Sequence, residues 1–220
     1  DVLVDQQALE AIKTKLLKMC LICTPNRDEA AYLLGVSSAD VYGDDDDVED
    51  SRQIDANAEQ FLHRFGCLSV LFKGGHDERI PHRVVDTLYI RLDDNVISQE
   101  LEALDKSLVQ KGNVDPLLSV EIVDCVPPPK EKRGNFVKIR VEHERIISAK
   151  GHGSGCTLAS SIAACLAQLN NIYPERSLTW KLAHSVVSSV AFVHIAMQHA
   201  QDVEIGKGNG PLIHNHRFMY

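Results

Sequence analysis

A chain of 220 residues, 44% of them hydrophobic, can bury one full core and reads more readily as one domain than two. Its formal net charge of −8 makes it a poor partner for nucleic acid or an anionic membrane, both of which repel it. An anionic substrate would need a local positive field, which a few lysines or a helix N-terminus can supply.

In chain order, Asp5 can cap a helix running to about Met19, with Leu9, Ile12 and Leu16 at helical spacing. Leu21 to Thr24 is a short apolar strand ended by Pro25. A helix is predicted over 26–34, with Gly35 just past its end. Residues 40–50 carry Asp44, Asp45, Asp46, Asp47, Glu49 and Asp50, which repel one another and predict a surface loop. They lack the spaced ligands and internal glycine of a calcium loop. An amphipathic helix over 51–65 stops at Gly66, a buried strand covers 68–72, and Lys73-Gly74-Gly75 turns the chain. A strand follows at 84–90. Residues 97–135 read as an irregular excursion on one edge, with Val126 to Pro129 and the charged run Lys130 to Arg133. A strand at 136–141, a helix rich in small residues at 156–169, a long helix at 177–201 and a loop at 206–211 complete the order. Strands alternating with helices imply an open α/β sheet.

Cysteines at 20, 23, 67, 125, 156 and 165 sit mostly in apolar runs, the pattern of reduced, buried thiols in a cytoplasmic protein. Cys20 and Cys23 flank Leu21 and Ile22, and no second pair follows at zinc-finger spacing, so they are not read as a metal or redox motif. No cationic, apolar leader opens the chain, and no apolar run nears the length of a membrane span. A soluble, cytoplasmic protein is expected.

Three constellations carry chemistry. Gly151, Gly153 and Gly155 alternate just before a strong helix, so the backbone can approach a ligand and the first helical N–H groups can face an anion. No Gly-Lys-Ser/Thr follows, so this is not a Walker A loop, and a purely structural turn stays open as an alternative. Cys156 stands in the first turn of that helix, where the dipole favours a thiolate. A base at the mouth of an anion hole suits phosphoryl transfer. Asn26 and Glu29 share a helix face, and reciprocal capping alone would explain them. Lys73 ends a strand, where open α/β sheets bind ligands, although a lone lysine is usually just solvated.

Four motifs then stand in the order of one family: Thr24-Pro25-Asn26 with Glu29-Ala30; Lys73-Gly74-Gly75-His76; His152-Gly153-Ser154-Gly155-Cys156-Thr157-Leu158; and Gly208-Asn209-Gly210-Pro211-Leu212 with His214. The chain resembles the hydroxymethylpyrimidine/phosphomethylpyrimidine kinases of thiamine biosynthesis, within the ribokinase superfamily. Cysteine at position 156 marks that branch, since most of the superfamily has aspartate there, although some pyridoxal kinases share it. The segment 147–151 departs from the family pattern.

The resemblance implies a ribokinase-like, mostly parallel open sheet with helices on both faces. Residues 1–220 would be the C-terminal part of one kinase domain, its N-terminal half missing, with an insertion at 97–135. Alone they are expected to be poorly soluble and inactive. The implied reaction is phosphorylation of hydroxymethylpyrimidine and its monophosphate by ATP, with Mg2+. Cys156 would be the general base, with Gly153, Ser154 and Gly155 in the anion hole. Asn26, Lys73, Gly208 and Gly210 would contact the nucleotide, and Glu29 would hold the metal through water. The partner is a small pyrimidine, and a homodimer is compatible with the resemblance. Pyridoxal kinase, or an inactive or regulatory kinase-like fragment, are the rival readings. His214 and His216 read as loop histidines rather than metal ligands.

Overall fold

A computed structural model describes residues 5–41, 48–75, 81–92, 102–104, 107–108, 118–125, 136–147, 151–201, 203, 208 and 210–216. The acidic run 44–47, His76, residues 126–133 and Asn209 lie outside the described residues. Five strands form one sheet: β1 (Ile22–Cys23), β2 (Ser69–Phe72), β3 (Arg83–Arg91), β4 (Leu118–Cys125) and β5 (Phe136–Glu144), in the spatial order β1-β2-β3-β5-β4. β1 runs parallel to β2, whereas β2 and β3 are antiparallel. The chain divides into two compact units, and β3, β4 and β5 each supply residues to both. The first unit comprises Asp1–Pro81, Val85–Ile97 and Val123–Lys138.

In this unit the Asp5 carboxylate accepts the Ala8 N–H at 2.7 Å and starts α1 (Gln6–Ala11). A π-helical turn and a 3-10 turn carry the helix on to Met19, the end that its apolar spacing predicts. α2 (Arg27–Leu34) stops at Gly35, whose φ of 77° is the left-handed value that favours glycine. After α3 (Ser38–Val41), α4 (Val48–Phe65) starts earlier than predicted, so Glu49 and Asp50 belong to a helix rather than to the acidic loop. Acidic residues in a first turn complement the helix dipole, and this competes with their mutual repulsion. β2 is buried throughout. Phe65, Phe61, Phe72, Tyr89 and Phe136 pack edge to face in succession, with ring centroids 4.8, 5.9, 6.0 and 5.6 Å apart. At the polar end of this ladder, Asp55 accepts the Tyr89 hydroxyl at 2.8 Å and pairs with the buried Lys138 ammonium at 3.1 Å.

The second unit comprises His82–Val84, Ser98–Ile122 and Ile139–Tyr220. Its core is α5 (Ser154–Ile172) packed on α6 (Leu178–Ala200). Leu158, Ile162 and Leu166 form the buried stripe of α5, at the spacing of one helical face. Ser177 caps α6 by accepting the Trp180 N–H at 3.1 Å. By length and composition α6 could cross a membrane, although serines, histidines and a lysine break its apolar run. Most of its apolar window is buried, as in the core helix of a globular domain.

The reading of 97–135 as irregular needs correction, because β4 lies within it and forms the edge of the sheet. Leu118, Val120 and Ile122 are half-buried while Ser119 and Glu121 are exposed, a period-2 alternation that marks a one-sided strand. Arg140 on β5 pairs with Glu121 at 3.1 Å. Ser107, from the same stretch, is tied to α6: its hydroxyl lies 2.9 Å from His184 Nε2 and accepts Trp180 Nε1–H at 3.0 Å. Burial, then the nearby Arg176 charge, pushes the His184 imidazole down from the ordinary 6.5 to about 4. The fold therefore holds this histidine neutral, while the unfolded chain takes up a proton below about pH 6.5. Its contribution is complete above that value and is lost as the pH falls towards 4. After discounting for partial exposure it amounts to about 1–2 kcal/mol. Urea midpoints for His184→Gln should fall less than wild type between pH 6.5 and 4, and parallel curves would refute the linkage.

Candidate functional site

The candidate residues gather into two groups, one in each unit. In the first, Pro25 ends β1 and the chain turns into α2. Asn26 is the N-cap of α2: its Oδ1 accepts the Glu29 N–H at 2.8 Å, and its own N–H donates to Glu29 Oε2 at 2.7 Å. This is the reciprocal capping box that the spacing allows. Asn26 Nδ2 and Glu29 Oε1 make no hydrogen bond among the described residues, so capping leaves one ligand-capable atom on each.

Lys73 follows directly on β2. Its backbone bridges to Asn26, its N–H donates to the Pro25 carbonyl at 3.1 Å, and its ammonium lies 4.0 Å from Glu29 Oε2. The structure thus brings Asn26, Glu29 and Lys73 together at the C-terminal ends of two adjacent parallel strands, where α/β sheets hold ligands. No group of three or more His, Cys, Asp or Glu side chains suited to a metal occurs among the described residues. An exposed carboxylate with a free oxygen nevertheless fits Mg2+, which keeps its waters and takes one or two carboxylates plus substrate phosphates.

Asp86 was not marked out by the sequence reading. It is almost fully buried on β3, and its Oδ1 accepts the Gly74 N–H at 2.8 Å. One acidic residue inside the apolar run Val84-Val85-Asp86-Thr87-Leu88 was the available signal. A charge is not placed in such a strand without a partner.

In the second unit, Gly153 takes φ 85° and is the N-cap of α5. That left-handed value explains a glycine at this position. The Ser154 N–H donates to the Gly151 carbonyl at 3.2 Å, and the Thr157 N–H to the Gly153 carbonyl at 2.9 Å. Between them, the N–H groups of Gly155 and Cys156 have no acceptor among the described residues, as first-turn donors of a helix do not. The Cys156 thiol is free and exposed, unlike the buried Cys67. Burial pushes Cys67 up to about 11 and Cys23 up to about 12, which suits inert core thiols.

The C-terminal loop reaches the same turn. His214 Nε2 lies 2.9 Å from Thr157 Oγ1, next to Cys156, and the Ile213 N–H donates to the Ala196 carbonyl at 3.2 Å. Leu212 and Ile213 are buried, Gly210 takes φ 66°, and Gly208 is exposed. The His214–Thr157 link joins residues far apart in sequence, and no local pattern announces it.

The sequence profile of the family described as phosphomethylpyrimidine kinase matches residues 1–113 and 132–213. The hydroxymethylpyrimidine/phosphomethylpyrimidine kinase of Rhizobium meliloti is 28% identical, over 99% of this chain and 57% of its own length. The thiamine biosynthesis bifunctional protein ThiED of Geobacter sulfurreducens is 26% identical, over 96% of this chain and 29% of its own length. The chain therefore spans little more than half of the first relative and less of the second. Among solved structures, pyridoxal kinase from Bacillus subtilis, in a complex with ADP, superposes with a TM-score of 0.58 at 17% identity, covering 99% of this chain and 58% of that one. A putative phosphomethylpyrimidine kinase from Bacteroides thetaiotaomicron gives 0.56 at 14% identity, over 97% and 53%. At such identities the likeness is one of fold, and it is the ribokinase-like α/β fold that the motifs imply. With the profile matched along most of its length, the chain belongs to the phosphomethylpyrimidine kinase family.

Proposed function

We propose that the protein containing this chain transfers the γ-phosphoryl group of ATP to the hydroxymethyl oxygen of hydroxymethylpyrimidine, and then phosphorylates the resulting monophosphate. The Rhizobium meliloti relative is named a hydroxymethylpyrimidine/phosphomethylpyrimidine kinase, which supports this reading. The observation that carries the reading is the first turn of α5, which sets an exposed thiol beside two N–H groups that have no acceptor among the described residues. Cys156 takes the proton of the attacking hydroxyl as the new oxygen–phosphorus bond forms and ADP departs. The turn from Gly153 through Ser154 and Gly155 forms the anion hole, with the Gly155 and Cys156 N–H groups facing the charge on the transferred group. Asn26 and Lys73 hold the nucleotide phosphates, and Gly208 and Gly210 line the nucleotide side of the C-terminal loop. Glu29 would hold Mg2+ through water, where the ion offsets charge between donor and acceptor oxygens. Cys20, Cys23, Cys67, Cys156 and Cys165 are free thiols, in keeping with a reducing cytoplasm.

The test is a phosphoryl-transfer assay on the full-length protein with γ-labelled ATP. Hydroxymethylpyrimidine, its monophosphate and pyridoxal are supplied in turn. Label on both pyrimidines is expected. Transfer to pyridoxal alone would replace the substrate assignment. No transfer to any of them would favour a regulatory, kinase-like role.

A further inference from the structure

We infer that Asp86 is a positioning residue for nucleotide binding, acting through the Lys73-Gly74 turn; this rests on the proposed role of Lys73. Lys73 must stand beside Asn26 and Glu29, yet two glycines follow it, and glycine is the least constrained residue in the chain. Gly74 cannot be exchanged for a stiffer residue. A Cβ at that position would come 2.2 Å from the Val85 carbonyl oxygen and 2.9 Å from its carbon. The close approach of β3 thus demands a glycine where a phosphate-binding turn needs rigidity.

Asp86 resolves the conflict from the neighbouring residue on β3. The register pairs Phe72 with Thr87, and Lys73 and Asp86 are the next residues along the two chain segments. The carboxylate, only 6% exposed, accepts the Gly74 N–H at 2.8 Å. On the N-terminal side the Lys73 N–H is held by the Pro25 carbonyl at 3.1 Å. The Lys73-Gly74 segment is therefore held from both sides: the Lys73 N–H by the strand that leads to Asn26 and Glu29, and the Gly74 N–H by the Asp86 carboxylate. The Lys73 side chain extends from this anchored segment, and its ammonium lies 4.0 Å from Glu29 Oε2.

The test measures KM for ATP and kcat in the full-length protein for Asp86→Val, Asp86→Asn, Lys73→Met and the double variant Asp86→Val/Lys73→Met. Asp86→Val removes the acceptor and should raise KM for ATP about tenfold, with a smaller change in kcat. Asp86→Asn keeps an oxygen for the Gly74 N–H and should stay within about threefold of wild type. In the Lys73→Met background, Asp86→Val should add nothing further to KM, because its effect passes through that lysine. An equal effect of Asp86→Val with and without Lys73 would overturn the proposal, as would an unchanged KM in folded Asp86→Val. Where Asp86→Val is insoluble, Asp86→Ser, small and polar but too short to reach the Gly74 N–H, is read in the same way. Failure of all three Asp86 variants to fold would also overturn it, making Asp86 a determinant of folding alone. A Lys73→Met enzyme with normal KM for ATP would instead refute the nucleotide role of Lys73, a result separate from all of these.

Discussion

Replacing Cys156 with alanine is expected to lower kcat by about 10²–10⁴-fold, the usual worth of a positioned general base. ATP affinity should stay within about threefold, because the thiol is one exposed group at the mouth of a turn whose remaining donors are backbone. The helix start does not depend on it either. The cap is Gly153, and the first closing bond runs from the Thr157 N–H to the Gly153 carbonyl. A loss of turnover with intact nucleotide binding therefore reports chemistry and not folding. Cys156→Asp supplies the sharper readout. A carboxylate at this position can take the same proton, so turnover should recover well above that of Cys156→Ala. Wild-type turnover in Cys156→Ala would sink the base assignment. A Cys156→Asp enzyme no more active than Cys156→Ala would count against it as well.

Much of this site was legible because its parts are local. Asn26 and Glu29 lie one helical turn apart, and that spacing alone specifies both bonds of the capping box. Gly153 and Cys156 bracket a helix start that alternating glycines and a run of small residues announce. The remainder depends on residues brought together by pairing between strands or helices. Asp86 meets Gly74 only through the β2–β3 register, and His214 meets Thr157 only after the chain has run the length of α5 and α6 and returned. β4 was missed for a different reason. Its alternation is present, but the polar and proline-rich sequence around it dominates any reading of the whole stretch. Lys138 makes the same point as Asp86: a buried charge inside an apolar strand signals a partner, here the half-buried Asp55, without naming it.

The second large effect is expected from a single methyl group, in Gly74→Ala. Two glycines stand side by side in this turn, neither with positive φ, so left-handed backbone explains neither of them. They differ in surroundings. A Cβ on Gly75 would meet nothing within 4 Å, whereas one on Gly74 would lie 2.2 Å from the Val85 carbonyl oxygen and 3.0 Å from its nitrogen. Those atoms belong to the backbone of β3, which cannot rotate aside as a side chain could. Relief requires the end of β2 to move away from β3, which stretches the Gly74–Asp86 bond at a nearly fully buried carboxylate. Overpacking and the weakened bond together should destabilise the unit by about 2–4 kcal/mol. Gly75→Ala should be neutral or stabilise by about 0.4–1 kcal/mol, since it only restricts the unfolded chain. Urea midpoints of the two variants measured side by side decide the matter, and equal tolerance at both positions would refute the close approach of β3. Any folded Gly74→Ala protein should also bind ATP more weakly than Gly75→Ala, because the displaced segment begins with Lys73, whose N–H reaches Pro25 and whose backbone bridges to Asn26.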